Sequence, residues 1–368
     1  MGRTVHIIGA GLAGLAAAVK LARTPAKVVV HEATAYPGGR CRSYFDRAIG
    51  MTIDNGNHLV LSGNHAVQEF AAAIGSANAL VGPETADFPF VDLKSGERWT
   101  LRINDGLPWW IFDKSRRVPG TAALDYLKVA RLLRVADAAA VGDVLDCSGA
   151  LYDRLLGPVL LAALNIDPPQ GAAVLASAVM RETLVLGGKA CRPLIARDGL
   201  SHAFIAPALK HLKERGVEMR LEHELRAITF DGGRASRLDF GADQLDLAAG
   251  DAVIVAVPTH AAAALLPGLA TPQGYRSIAN AHFKIDAPPH VPPMQGLVNA
   301  TTEWIFAFEG RLSVTISSAD RLMDTPRAEL AQTIWNEVAQ ATGIAASLPP
   351  WQIVRERRAG CPSAGRRC

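Results

Sequence analysis

Residues 4–22 read "TVHIIGAGLAGLAAAVKLA", and their spacing decides the fold. The apolar, β-branched run from Val5 to Ile8 predicts a strand, and Gly9, Gly11 and Gly14 follow it in GxGxxG spacing. Each glycine has a mechanical reason: Gly9 permits the tight turn, Gly11 lets backbone approach a pyrophosphate, and Gly14 lets the next helix pack closely on the sheet. Leu12, Leu15, Ala16, Val19 and Ala22 recur at helical spacing and lead to a second strand in "KVVVHEA". The unit is βαβ, with a phosphate site at the helix N-terminus. Glu32 ends the second strand 18 residues after Gly14, where a carboxylate accepts hydrogen bonds from a ribose and repels a 2′-phosphate. FAD and NAD fit that requirement; NADP does not.

The rest of the composition bounds the class. A chain of 368 residues is long enough for two domains, and 49% apolar against 20% charged residues, with a mean hydropathy of +0.15, describes a globular protein with a large core. A net charge of +3, with its basic residues scattered, does not call for nucleic acid. Five widely spaced cysteines without a CxxC pair point to reduced thiols, a cytoplasmic setting and no metal site. The glycines and the strand after them argue against a signal peptide, His6 argues against myristoylation, and no run of 18 uninterrupted apolar residues predicts a membrane span.

In "ATAYPGGRCRS", residues 33–43, Gly38 and Gly39 free the backbone and Arg40 offers a guanidinium to a diphosphate or carboxylate. With this element the sequence resembles the FAD-dependent amine oxidase and phytoene desaturase superfamily, which shares the fingerprint, the ribose acid and a GGR motif. The resemblance implies FAD and a Rossmann-type α/β domain interrupted by an α+β substrate domain. "IDNGNHLVLSGN", residues 53–64, would then pass beside the flavin ring, with Gly56 allowing close approach and Asn57 and His58 near flavin or substrate. The wording "DNGNH", together with "LLGPVLLAALNIDPPQGAA" at 155–173, resembles the hydroxysqualene dehydroxylase family of hopanoid synthesis. That likeness runs from about Thr4 to Arg358. It implies reductive loss of an allylic hydroxyl from an isoprenoid, with hydride from reduced FAD and electrons from an external donor. Carotenoid desaturation or amine oxidation is the alternative within the superfamily, and a truncated product without enzymatic activity is the alternative outside it.

The cofactor-binding candidates are Gly9, Gly11, Ala13, Gly14, Glu32, Gly38, Gly39, Arg40, Gly56, Asn57, His58 and Leu225, the last in "EHELRAI", read as a strand whose backbone reaches the adenine by family likeness. His58 is the one candidate for the acid that helps the hydroxyl leave, against an ordinary structural role, and Asp54 reads as structural. "DAVIVAVPT" reads as a buried strand of the same parallel sheet, ended by Pro258. The expected division is 1–82 and 190–265 for the flavin domain, and 83–189 and 266–359 for the substrate domain.

Within the substrate part, "KSGE" signals a hairpin. Trp109, Trp110, Ile111 and Phe112 precede Lys114, Arg116 and Arg117, and Leu124, Leu127, Leu132 and Leu133 lie beside Lys128, Arg131 and Arg134. Rings beside cations suit peripheral contact with a membrane, whereas the same leucines and rings could simply fill a core. The tail 360–368, "GCPSAGRRC", carries two of the five cysteines and no apolar period, and is expected to be aberrant, in place of a last flavin-binding turn and helix.

Overall fold

A computed structural model of the protein describes residues 2–135, 139–272, 274–345 and 347–360. The βαβ unit stands as read: strand Thr4–Ile8, helix Leu12–Leu21 and strand Lys27–His31. The strands are parallel, with Val5 opposite Val28 and Ile7 opposite Val30. Glu218–Arg220 adds outside Lys27–His31, and Ala252–Val255 adds outside Thr4–Ile8, completing four parallel strands. The helices Leu12–Leu21 and Ala206–Glu214 supply Leu15, Ala18, Ala208 and Leu212 to the core over Val5, Ile7, Val28 and Val30. Burying side chains of this size contributes about 1.5–3 kcal/mol each for valine, leucine or isoleucine. Gly216, at φ +70°, follows the second helix and turns the chain into Glu218–Arg220.

Two readings of this region need correction. Ala252–Val255 is half-buried, not buried, because it is the last strand in the sheet order and its far edge has no strand partner among the described residues. Leu225 lies in no strand: it falls in an extended segment between Glu218–Arg220 and Ala227–Asp231, and the latter begins a separate antiparallel three-stranded sheet with Arg234–Asp239 and Gln244–Asp246. Its apolar side chain is buried all the same.

The other large layer is a seven-stranded sheet in the order Trp351–Gly360, Arg276–Lys284, Arg311–Ile316, Trp304–Phe308, Met294–Val298, Ala86–Asp92, Arg98–Ile103. Every pairing is antiparallel except Met294–Val298 with Ala86–Asp92. The "KSGE" hairpin is the link between the last two strands, with Gly96 at φ +74°. One face is covered by helix Arg327–Thr342, whose Leu330, Ile334, Trp335 and Val338 share one side and pack with Phe283, Ile305 and Val314. Gly343, at φ +73°, ends that helix. The opposite face carries Phe90 stacked on Trp99 and edge-on to Trp304, under the helices Gly157–Leu164 and Ala173–Met180.

The predicted helix through 124–133 is helical only over Ala123–Val129 and continues as a 3-10 turn, Ala130–Leu133. Gly360 belongs to the ten-residue strand Trp351–Gly360, opposite Arg276. The remainder of the predicted aberrant tail, 361–368, lies outside the described residues.

Candidate active site

A cavity of about 1790 Å³ runs between the parallel sheet and the seven-stranded sheet. Its first end is built by the glycine turn. Gly9, at φ +102°, has no room for a side chain, since a Cβ there would sit 2.6 Å from the Ala256 carbonyl oxygen. At Gly14 a Cβ would meet the Gly9 oxygen at 1.9 Å, which is why the helix can start so close to the strand. Gly11 is different: nothing lies within 4 Å of its Cβ position, so its bareness serves the cavity and not the packing. The helix Leu12–Leu21 has Gly11 as its N-cap and no side-chain cap, leaving first-turn N–H groups for an anion. Ala13 lines the cavity beside them.

Glu32 is buried and lines the same end. Its Oε2 accepts the Ala10 N–H at 2.8 Å, and its Oε1 accepts the Thr34 N–H and hydroxyl at 3.0 and 2.9 Å. These bonds fix the carboxylate in place, and carboxylate oxygens retain further lone pairs for a ligand hydroxyl. Gly38 and Gly39 both take positive φ, and the Gly38 N–H donates to the Ala10 oxygen at 2.8 Å, drawing "GGR" against the first turn. Arg40 lines the cavity and donates through Nη1 to the carbonyl oxygens of Arg358 and Ala359, so it clasps the last strand of the seven-stranded sheet. Leu225 lines this first end of the cavity as well.

The second end is assembled from distant strands. The Asn57 Nδ2 donates to the Val314 oxygen at 3.1 Å and to Thr315 Oγ1 at 3.2 Å, while Thr315 donates to Asn280 Oδ1 at 2.8 Å. Gly56 presses on Asn280, with its Cβ position 3.2 Å from the amide nitrogen. Asn57, Asn280 and Thr315 all line the cavity, and the buried Asn57 Oδ1 has no partner among the described residues. A buried acceptor left open beside a cavity is where a ligand N–H or O–H would bond. His58 faces the cavity; burial lowers its pKa below the usual histidine value, with Asp54 opposing and Arg40 reinforcing the shift. Asp54 is structural, as read: its Oδ1 accepts the Ser43 hydroxyl at 2.6 Å and the Leu200 N–H at 2.9 Å, and its Oδ2 pairs with buried Arg311 at 3.5 Å. Beyond these polar groups the walls are Phe88, Leu101, Ile103, Val159, Leu184 and Phe306.

Two features are not foreseen from the sequence. Glu303 is buried behind this end, its Oε2 accepting the Ser317 N–H at 2.9 Å, and burial lifts its carboxyl to about 7. Ser317 lines the cavity, which makes the pair a proton-bearing group next to the ligand space. An acid directly ahead of the buried strand "WIFAF" is the one available signal. At the other end of the cavity His6, His31 and His223 form a hydrogen-bonded row, at 3.1 and 2.9 Å. Burial, then the neighbouring His6 and His223, pushes His31 down to about 3, so the central ring of the row is held neutral. The Cys41 and Cys191 thiols are pushed up to about 12 by burial and are not nucleophiles.

A Rossmann-type turn joined to an apolar chamber defines a flavin-dependent oxidoreductase, and residues 12–363 match the family described as flavin containing amine oxidoreductase. Solved structures share the fold: a putative protoporphyrinogen oxidase from Exiguobacterium has a TM-score of 0.66 at 21% identity, covering 99% of this chain and 88% of that one. Cyclohexylamine oxidase from Brevibacterium oxydans has 0.68 at 17%, covering 97% and 85%. Among curated proteins, the hydroxysqualene dehydroxylase of Rhodopseudomonas palustris is 56% identical over 98% of this chain and 86% of its own length. That of Sinorhizobium fredii is 54% identical with the same coverage of both chains. The chain belongs to the hydroxysqualene dehydroxylase branch of the flavin containing amine oxidoreductases and is an FAD-dependent enzyme. The open Asn57 acceptor, the uncapped helix and the bare Gly11 fit that cofactor.

Proposed function

We propose that this enzyme removes the allylic hydroxyl of hydroxysqualene to give squalene. The observation that carries the reading is the kinship with hydroxysqualene dehydroxylases across nearly the whole chain. The largely apolar walls of the chamber, Phe88, Leu101, Ile103, Val159, Leu184 and Phe306 among them, are suited to an isoprenoid and support it. Gly9, Gly11, Ala13, Gly14, Glu32, Gly38, Gly39, Arg40 and Leu225 hold the dinucleotide, and Gly56, Asn57 and His58 border its ring. The flavin-binding part comprises 1–82 and 190–265, and the substrate-binding part 83–189 and 266–359.

Bound FAD, once reduced, supplies hydride to the carbon that loses oxygen. The protein's part is to orient that carbon, exclude water, and deliver a proton to the departing hydroxyl, which leaves as water. Two groups can hold the proton: His58, which faces the chamber directly, and Glu303 acting through the Ser317 hydroxyl. A carboxyl lifted to about 7 carries a proton at neutral pH, whereas a histidine with a lowered pKa does not, so Glu303 is the better donor. Electrons reach the flavin from a separate donor. The substrate is drawn from lipid by peripheral contact with a membrane.

The test is a single anaerobic turnover. Photoreduced enzyme mixed with hydroxysqualene should reoxidise its flavin in step with squalene formation, while phytoene and simple amines leave the oxidised enzyme's flavin unchanged. Reduction of the flavin by phytoene or an amine, with hydroxysqualene inert, would overturn the reading.

A further inference from the structure

We propose that residues 104–112, the helical stretch 123–134 and the segment 181–186 form a lipid-docking face that rests on an anionic bilayer and feeds the chamber. This deepens the reading above, resting on it only for the identity of the cargo.

Exposure comes first. Trp109 is 66% exposed, Phe112 59% and Leu124 63%, and Leu107, Leu127, Val185 and Leu186 are exposed beside them. These residues are not on a loose strap. Trp110, Ile111, Tyr126 and Leu132, interleaved with them, are buried. The Trp110 N–H donates to Asn104 Oδ1 at 2.8 Å, and its ring meets Tyr126 edge-on at 5.0 Å. The Arg117 Nη1 donates to the Ile111 oxygen at 2.9 Å. The 3-10 turn Trp109–Phe112 is therefore pinned from beneath while two of its rings, 6.1 Å apart, are held outward. A contiguous patch of large apolar groups held outward on a fixed turn marks a surface that meets an apolar partner.

Charge names the recipient. Residues 104–134 and 181–186 together hold seven cations (Lys114, Arg116, Arg117, Lys128, Arg131, Arg134, Arg181) and four acids (Asp105, Asp113, Asp125, Glu182), a net of +3 that equals the total of the whole chain. Asp113 and Asp125 each face one cation, Arg116 at 3.7 Å and Lys128 at 3.5 Å. A groove of about 590 Å³ has Leu124, Leu127 and Leu133 along it with Lys128, Arg131 and Arg134. Aromatic rings at headgroup depth flanked by cations match a bilayer carrying acidic lipids. No described helix is long and apolar enough to cross a membrane, so this contact is made at the surface.

Continuity gives the face its purpose. Ile103 lines the chamber and leads into 104–112; Val179, Met180, Thr183 and Leu184 line it and lead into Val185 and Leu186. The two segments are tied by the Gly188 N–H on the Asn104 oxygen at 2.9 Å, and Arg181 donates to the Leu133 oxygen. The outer face and the chamber wall are thus the two sides of the same short elements.

The experiment is cosedimentation of the full-length protein with vesicles of phosphatidylcholine alone or mixed with phosphatidylglycerol. Binding should require the anionic lipid and weaken with salt. Trp109→Ser/Phe112→Ser and Arg131→Glu/Arg134→Glu should each lower partitioning at least about tenfold, since each cation near the surface is worth roughly a factor of five. Phe230→Ser, on the exposed antiparallel sheet, should bind as the parent does. Equal thermal transitions show the variants folded. Turnover of detergent-dispersed substrate should be unchanged in all three. No vesicle binding, unaltered binding of the first two variants, or equal loss with Phe230→Ser would overturn the proposal. So would a patch-dependent dimer at sedimentation equilibrium without vesicle binding. Vesicle binding as expected with hydroxysqualene inert would leave the docking face standing and remove the function reading alone.

Discussion

The two ends of the cavity are built in opposite ways. The end we assign to the nucleotide is local: Gly9, Gly11, Gly14, Glu32, Gly38 and Gly39 fall within 31 residues, and backbone bonds hold most of it together. The ring end is convergent: Asn57 lies more than 200 residues before Asn280 and Thr315, and the three meet through side-chain bonds. A backbone site depends on conformational freedom at a few positions, whereas a convergent site depends on strand register across a whole sheet. The first should break all at once; the second should fail by degrees.

Gly14 and Gly11 break the first most sharply, and differently. Gly14→Val forces a side chain onto the Gly9 carbonyl, so the helix cannot seat and the protein should be recovered unfolded or insoluble. Gly11→Asp meets open space and should leave the thermal transition of the flavin-free protein within a degree or two. It nevertheless places a negative charge where we propose that the pyrophosphate binds, and should lower FAD affinity at least about a hundredfold, roughly 2.7 kcal/mol, by titration of flavin fluorescence. Equal loss of folding in both variants would show that Gly11 serves packing after all.

Legibility in the sequence follows the same divide. The strand, turn, helix and ribose acid could be placed because each requirement is met by a neighbour along the chain. The Asn57 site was only half visible: "DNGNH" marked the position, but its partners Asn280 and Thr315 are ordinary strand residues until the antiparallel pairing of Arg276–Lys284 with Arg311–Ile316 puts them side by side. Glu303 carries one faint signal, its place directly ahead of "WIFAF", because its burial depends on the layers that close around it. Leu225 and Ala252–Val255 were misjudged because strand membership and edge position are properties of the sheet order, which short apolar runs do not encode.

At the convergent end, Glu303→Gln should lower single-turnover squalene formation about a hundredfold or more, with flavin affinity unchanged. The amide can still accept the Ser317 N–H, so the loss tests the proton and not the fold. Rates in Glu303→Gln equal to the parent would return the role to His58. Asp54 supports both ends, bonding Ser43 and Leu200 on one side and Arg311 on the other. Asp54→Ala strands a buried guanidinium and should destabilise by about 3–5 kcal/mol in denaturant titration. A loss under about 1 kcal/mol would mean Arg311 finds other partners.

The remaining effects are those of pH, and the buried histidines and Glu303 should respond with opposite sign. Burial pushes His31, at the nucleotide end, and His282, beside the ring end, down to about 3. The unfolded chain binds protons at these histidines below its ordinary value near 6.5 while the folded chain does not, so their contribution to stability is full above 6.5 and is lost as pH falls toward 3. At pH 5 the loss is roughly 2 kcal/mol for each. Glu303 runs the other way: its carboxyl, lifted to about 7, stays protonated in the folded chain after the unfolded one has ionised, so its contribution is present below 4.5 and fades as pH rises to 7. Glu303→Gln should therefore be more stable than the parent at pH 8, by up to about 3 kcal/mol, and converge with it near pH 4.5. A variant that gains stability while losing turnover is the signature of an acid kept for chemistry at the expense of the fold. Identical pH–stability profiles for the two proteins would show that Glu303 is already ionised in the native state and cannot be the donor.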